Sequence, residues 1–149
     1  MSIGDFLHKS TKDKLFKLSL SKGAVFLNKF DQIDHPKFFI VAGLSADKVF
    51  TCSVYINSNI PPAIMSKQSI LDLQVPLKGS KYRFLDHDSF VCCSTLLPIE
   101  TEKIRKWIYE TKTCEIKGQL DDEDLENITI TLIKSGLLSE EEIDLYFSE

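Results

Sequence analysis

The sequence predicts a mainly β protein with added helices (α+β), built on an antiparallel barrel or open roll. Several short β-prone runs follow one another between turn residues, and no helical pattern separates them before residue 100. After Pro98 the apolar residues change from strand spacing to helical spacing. A chain of 149 residues can bury one substantial core, so we expect one main domain.

Residues 1–22 are predicted to form an N-terminal helical extension, because their apolar residues recur at roughly helical spacing. Gly23 breaks this pattern, and residues 23–149 are expected to form the main domain. A first short strand is predicted at 24–27. Polar residues interrupt the apolar ones near the N-terminus, so we expect no signal peptide.

Further strands are predicted from β-branched and aromatic runs that end at turn residues. They span residues 38–42, 48–56, 69–75, 90–97 and 113–117. The first of these is continuously apolar, which is typical of a strand buried on both faces. The run 69–75 alternates apolar and polar residues, which is typical of a strand with one buried face.

Three amphipathic helices are expected after Pro98. The first spans 101–110 and is predicted to be capped by Thr101. The second spans 121–135 and ends at Gly136. Its predicted buried residues are Leu125, Ile128, Leu132 and Ile133. Ser139 and Glu142 form a capping-box pattern for a final helix that reaches Phe147.

Charge is divided unevenly along the chain. Residues 1–99 carry twelve Lys and Arg against eight Asp and Glu, whereas residues 100–149 carry six against fourteen. The first part could face a polyanion. The acidic part could form solvated helices, or it could be a segment that lies across a basic groove. No apolar run approaches the length of a membrane span, so we expect a cytoplasmic protein.

The four cysteines form no C-x-x-C pair and all fall in predicted strands. Cys92 and Cys93 are adjacent, so in a strand their side chains leave opposite faces. We therefore expect small buried hydrophobic residues, and neither a metal site nor a cofactor.

The stretch KYRFLDHDSFVCC at residues 81–93 concentrates ionisable groups at the entrance of an apolar strand. Arg83, Asp86, His87 and Asp88 lie within six positions. Such a run can be a polar turn with Asx-type hydrogen bonds, or it can line a site.

The order of these segments resembles the PemK/MazF-like toxins of bacterial toxin-antitoxin systems. The resemblance rests on KGAVFL, HPKFFIVAG, VYINS, FLDHDSFVCCSTLLPI and IKGQLDDEDLENI, taken in that order. It implies an SH3-like antiparallel β-barrel with added helices, usually a homodimer. It also implies metal-independent cleavage of single-stranded RNA, neutralised by a cognate antitoxin protein.

The resemblance also implies catalytic residues. His35 stands before Pro36, where the family usually has a catalytic arginine, and Asp88 stands at the family's acidic position. Metal-free RNA cleavage needs a base, an acid and a cation. We expect His35 and His87 to exchange the protons, Asp88 to orient one imidazole and Arg83 to bind the phosphate.

RNA-binding residues follow in the same way. Asn57 and Ser58 stand where the family has a Thr-Ser pair at its RNA site. Lys78 and Lys81 add positive charge, and Tyr82 between cations is a candidate for base stacking. The alternative is a catalytically inactive barrel of the same family that acts as a protein-binding or nucleic-acid-binding module. A plain interaction domain that shares only the SH3-like geometry is a third reading.

Overall fold

One antiparallel sheet organises the chain in the computed structural model, which describes residues 11, 14–17, 19–60 and 62–148. The strands are β1 Ala24–Asn28, β2 Lys37–Leu44, β3 Phe50–Asn57, β4 Gln74–Leu77, β5 Ser89–Glu100 and β6 Cys114–Gln119. The helices are α1 Pro62–Met65, α2 Gln68–Leu71, α3 Thr101–Tyr109, α4 Asp122–Lys134 and α5 Glu140–Phe147. The six strands pair in the order β4-β5-β3-β2-β1-β6.

The α+β class is therefore confirmed, but the sheet does not close into the expected barrel. In the described part of the chain, β4 and β6 lie at opposite ends of the strand order and do not pair with each other. β6 pairs with β1 through an irregular register that shifts between Val25 and Phe26. No helix among the described residues combines the length and the apolar character needed to cross a bilayer.

The continuously apolar β2 explains why the sheet is covered on both faces. Ile40 and Ala42 belong to a core cluster that also contains Ile128 of α4, and this side is the front face. Phe39 and Val41 point the other way, into a cluster that contains Ile104 of α3, and this side is the back face. Successive side chains of a strand alternate between faces, so one apolar run supplies both cores.

Part of the predicted N-terminal extension packs against the back face. Residues 14–17 are helical, and Phe16 and Leu20 are buried in the same cluster as Phe39. Residues 1–10, 12, 13 and 18 lie outside the described residues, so the rest of the predicted extension is not described.

The prediction of a strand over residues 69–75 is wrong for most of its length. The amide of Leu71 donates to the carbonyl of Lys67 over 2.9 Å, which closes the helical turn of α2. The sheet is joined only at Gln74, and the resulting strand β4 tolerates Pro76 because it is an edge strand. β5 also continues past its predicted end, through Pro98 to residue 100.

The helix ends follow local sequence signals more closely. The capping box of Ser139 is confirmed, and Gly136 has the expected positive φ, +76°. Thr101 is not the N-cap, because Glu100 occupies that position and makes no capping hydrogen bond through its side chain. Ile133 was expected in the core, but 41% of it is exposed, so that prediction is wrong.

The four cysteines are all buried and unpaired, as predicted. Burial raises the pKa of Cys52, Cys93 and Cys114 to about 12. Cys92 differs: burial also acts to raise the pKa of its thiol, but hydrogen bonds with Ser94, Gln74 and Thr95 together outweigh burial and lower this pKa. The first three therefore behave as small apolar residues of the core.

Candidate functional site

Three separate segments form a groove of about 400 Å³ at one end of the sheet. They are residues 35–38 at the start of β2, residues 56–59 at the end of β3, and residues 84–87 before β5 together with Ser89, the first residue of β5. β3 lies between β2 and β5 and runs antiparallel to both, so its end meets both of their starts. The antiparallel order thus brings together residues that are far apart in the sequence.

His35 lies at the mouth of this groove, paired with Asp34. Its Nδ1 lies 2.9 Å from Oδ1 of Asp34, and 69% of the imidazole side chain is exposed. The hydrogen bond with His35, together with the charge of the imidazolium, lowers the pKa of Asp34 below its ordinary value. The carboxylate therefore remains ionised and can orient the imidazole through Nδ1.

His87 lines the groove together with His35, although the two residues come from different connections. Asn57 and Ser58 lie in the groove at the end of β3. Lys37 also lines the groove, but its ammonium lies 4.7 Å from the ring centroid of Tyr55, which packs against the back core. The groove thus combines two imidazoles with short hydrogen-bonding side chains.

Aromatic rings form an apolar wall beside these polar groups. Phe38 and Phe84 both line the groove, and their ring centroids lie 5.5 Å apart. Both side chains are partly buried, so each keeps some accessible surface. Such rings can stack on a planar ligand while the nearby polar groups bind its hydrophilic part.

The two ends of the connection that carries His87 contact each other. Oδ1 of Asp88 accepts a hydrogen bond from the amide of Gly79 over 2.9 Å. A Cβ at Gly79 would lie 2.6 Å from the carbonyl carbon of His87, so only glycine permits this close approach. The Asp88 carboxylate therefore holds the loop together.

Lys81 and Tyr82 connect the same loop to the start of α4. The ammonium of Lys81 lies 2.6 Å from Asp121 and 2.9 Å from Asp124. The hydroxyl of Tyr82 donates to Asp124 over 2.5 Å and accepts from the amide of Asp121 over 3.1 Å. We call these four residues the clamp.

The clamp shifts the proton affinities of its members. Hydrogen bonds to Asp121 and Asp124 raise the pKa of Lys81 above its ordinary value. Burial, followed by the bond to Asp124, raises the pKa of Tyr82. The bond with Lys81 lowers the pKa of Asp121. The ion pair therefore stays charged and the phenol stays neutral around neutral pH.

The structure places some of the predicted site residues in the groove and others outside its lining. Those in the groove are His35, Asn57, Ser58 and His87. Those outside its lining are Lys78, Lys81, Tyr82, Arg83 and Asp88. Tyr82 is only 9% exposed and belongs to the front core, so its ring offers no open face for stacking.

Sequence reasoning missed Asp34, Lys37 and Phe84 as residues that lie near the histidines. Asp34 and Lys37 lie within two residues of His35 in the sequence, so their proximity to this histidine was predictable. Asp86 lines the groove where Asp88 was expected. In the described part of the chain, no group of His, Cys, Asp or Glu side chains is suited to hold a metal ion.

The last acidic helix lies away from the groove. A Cβ at Gly43 would lie 2.7 Å from Cβ of Tyr146, so α5 crosses β2 near its C-terminal end. Phe38 lines the groove at the other end of β2, five residues away, or roughly 17 Å along an extended strand. The prediction that the acidic end of the chain lies across the groove is therefore wrong for α5.

Searches of known protein families and of curated proteins find no match to this chain.

Proposed function

We propose that this chain is a metal-independent endoribonuclease that acts on single-stranded RNA. The observation that carries the proposal is that His35 and His87 line one groove with Asn57 and Ser58. The PemK/MazF-like resemblance adds the biological setting: a cytoplasmic, homodimeric toxin neutralised by a cognate antitoxin. In this proposal the sheet is an opened, divergent form of the SH3-like barrel.

The chemistry requires two proton transfers at one phosphodiester. One imidazole removes the proton of the 2′-hydroxyl, whose oxygen attacks phosphorus. The bond from phosphorus to the 5′-oxygen breaks, and the second imidazole protonates that leaving oxygen. We assign the acid to His35, whose Nδ1 lies 2.9 Å from the Asp34 carboxylate that can orient the ring, and the base to His87. The products are a 2′,3′-cyclic phosphate and a 5′-hydroxyl.

The negative charge of the attacked phosphate needs a nearby cation. Lys37 lines the groove and fits this role better than Arg83, which lies outside the lining. Asp34 takes the orienting role that was expected of Asp88, since Asp88 binds the amide of Gly79. Phe38 and Phe84 replace Tyr82 as stacking surfaces for unpaired bases.

The test is incubation of the purified protein with mixed-sequence single-stranded RNA in EDTA, followed by mapping of cut sites and end groups. Discrete cuts with 2′,3′-cyclic phosphate ends are expected. His35→Ala and His87→Ala should each slow cleavage by about 10²-fold or more. Lys37→Ala should also slow it. Arg83→Ala, an exposed neighbour outside the groove, is the matched control and should cut at the parent rate.

Exposed substitutions should leave the melting temperature nearly unchanged, which separates chemistry from folding. Cleavage that persists in a folded His35→Ala, His87→Ala double variant would refute the assignment. RNA that binds but stays intact would favour the alternative, a catalytically inactive binding module. The replacement of the family's usual arginine by His35 is the observation that favours this second candidate.

A further inference from the structure

The outward face of α4 carries apolar side chains that remain exposed. Ile130 is 42% exposed and Ile133 is 41% exposed, and Leu137, just beyond the helix end, is 47% exposed. The opposite side of the helix is packed, because Ile128 and Leu132 are fully buried in the front core. The helix is therefore anchored by its buried side, and its outer isoleucines belong to neither core cluster.

These side chains follow the spacing of a helix-pairing seam. Glu123, Glu126, Ile130 and Ile133 are separated by three, four and three residues, so they share one face of the helix. All four are exposed. This 3-4-3 repeat is the spacing by which one helix packs along another. We call these four residues the α4 seam. Its first half is acidic and its second half is apolar.

The helix that carries the α4 seam is acidic. Residues 121–134 contain five Asp and Glu and one basic residue, Lys134, and Lys81 is paired with two of the five, Asp121 and Asp124. Such a field repels nucleic acid and anionic lipid and attracts cationic groups. An occupant of this face therefore needs positive charge beside its apolar residues.

A second copy of this chain does not meet that requirement. In a parallel pair of α4 helices, Glu123 and Glu126 would face their own copies, and like charges repel. In an antiparallel pair centred on Ile130, Glu126 would face Lys134 of the other copy, but Glu123 would face Leu137, so a carboxylate of each copy would lie against an apolar residue at a cost. The charge pattern thus favours a different chain.

We propose that the α4 seam is a docking site for a basic amphipathic helix of another protein. Lysine or arginine of that helix pairs with Glu123 and Glu126, while leucine-like residues cover Ile130 and Ile133. This is the helix-on-helix form of peptide recognition, with charge fixing the register. The surface lies on α4 and does not depend on the function proposed for the groove.

The test uses a fluorescein-labelled helical peptide with leucine opposite the isoleucines and lysine opposite the glutamates. Fluorescence anisotropy with the full chain should show saturable binding that weakens as salt increases. Ile130→Ser with Ile133→Ser should weaken binding by at least about tenfold, since two apolar contacts are lost. Glu123→Gln with Glu126→Gln should weaken it and reduce the salt dependence.

Two controls isolate the seam. Ile116→Ser removes an isoleucine that is 64% exposed on β6 and should leave binding unchanged. A peptide with glutamate in place of lysine should not bind. The absence of saturable binding, or equal losses for Ile116→Ser and the seam variants, would overturn the proposal. A dimer in sedimentation that Ile133→Ser dissociates would overturn it as well, because the occupant would then be a second copy.

Discussion

Removal of the Tyr82 hydroxyl tests whether the clamp holds the groove loop against α4. In the parent chain this hydroxyl donates to the Asp124 carboxylate and accepts from the amide of Asp121. Tyr82→Phe deletes both bonds and keeps the ring, which packs against Phe84 with centroids 5.3 Å apart. The change therefore isolates the polar part of the contact from its apolar part.

The expected cost follows from the environment of the two partners. A hydrogen bond to a charged group contributes roughly 1.5–3 kcal/mol, and a neutral one contributes about 1 kcal/mol. Lys81 still binds the Asp124 carboxylate, and the exposed start of α4 lets water reach the freed amide, so part of the loss is recovered. We expect the free energy of unfolding to fall by about 2 kcal/mol, which lowers Tm by roughly 4–8 °C.

Urea unfolding and thermal melting measure this loss. The matched control is Tyr109→Phe, because Tyr109 is 40% exposed and its change should stay within about 0.5 kcal/mol. A double-mutant cycle with Asp124→Ala should give a coupling energy of roughly 1 kcal/mol or more. If Tyr82→Phe unfolds like the parent, or if the cycle shows no coupling, the clamp does not stabilise this loop.

Three further predictions concern stability at low pH, the packing of α5 and the reactivity of a buried thiol. Lys81 holds the folded-state pKa of Asp121 low, so this stabilisation is present above the carboxylate's unfolded pKa and is lost as pH falls. Lys81→Met should therefore flatten the decrease of Tm below about pH 4, and an unchanged slope would contradict this. Gly43→Ala places a Cβ 2.7 Å from Tyr146 and should cost about 1–3 kcal/mol in urea unfolding, and an unchanged free energy of unfolding would contradict close packing of α5 on β2. A thiol reagent at pH 8 should react slowly with native Cys93, whose pKa burial raises to about 12, but quickly after unfolding; rapid native labelling would contradict this burial.

Several features follow from the sequence alone, because short-range interactions fix them. The unbroken apolar run of β2 required cover on both faces, and the sheet is covered on both faces. The capping box of Ser139 and the positive φ of Gly136 depend only on neighbouring residues and were predictable. Each of these structures forms within a few residues of its signal.

Other features depended on partners that are distant in the sequence. Tyr82 looked like a stacking residue between two cations, but Asp124 of α4 binds its hydroxyl and buries it. Ile133 fitted the buried period of its helix, yet the front core is filled by Ile128 and Leu132 on the other side. The alternation of apolar and polar residues at 69–75 predicted a strand, but the hydrogen bond from the amide of Leu71 to the carbonyl of Lys67 places the first part of this run in a helical turn.

The groove also shows the difference between what local sequence predicts and what distant contacts decide. The sequence alone supplied His35, Asn57, Ser58 and His87 as separate candidates in four polar positions. Only the antiparallel order of β2, β3 and β5 brings their strand ends to one edge, where the side chains share a groove. Strand pairing is a long-range interaction set by the whole sheet, so local residue patterns determine what a site contains and the tertiary structure decides which residues meet there.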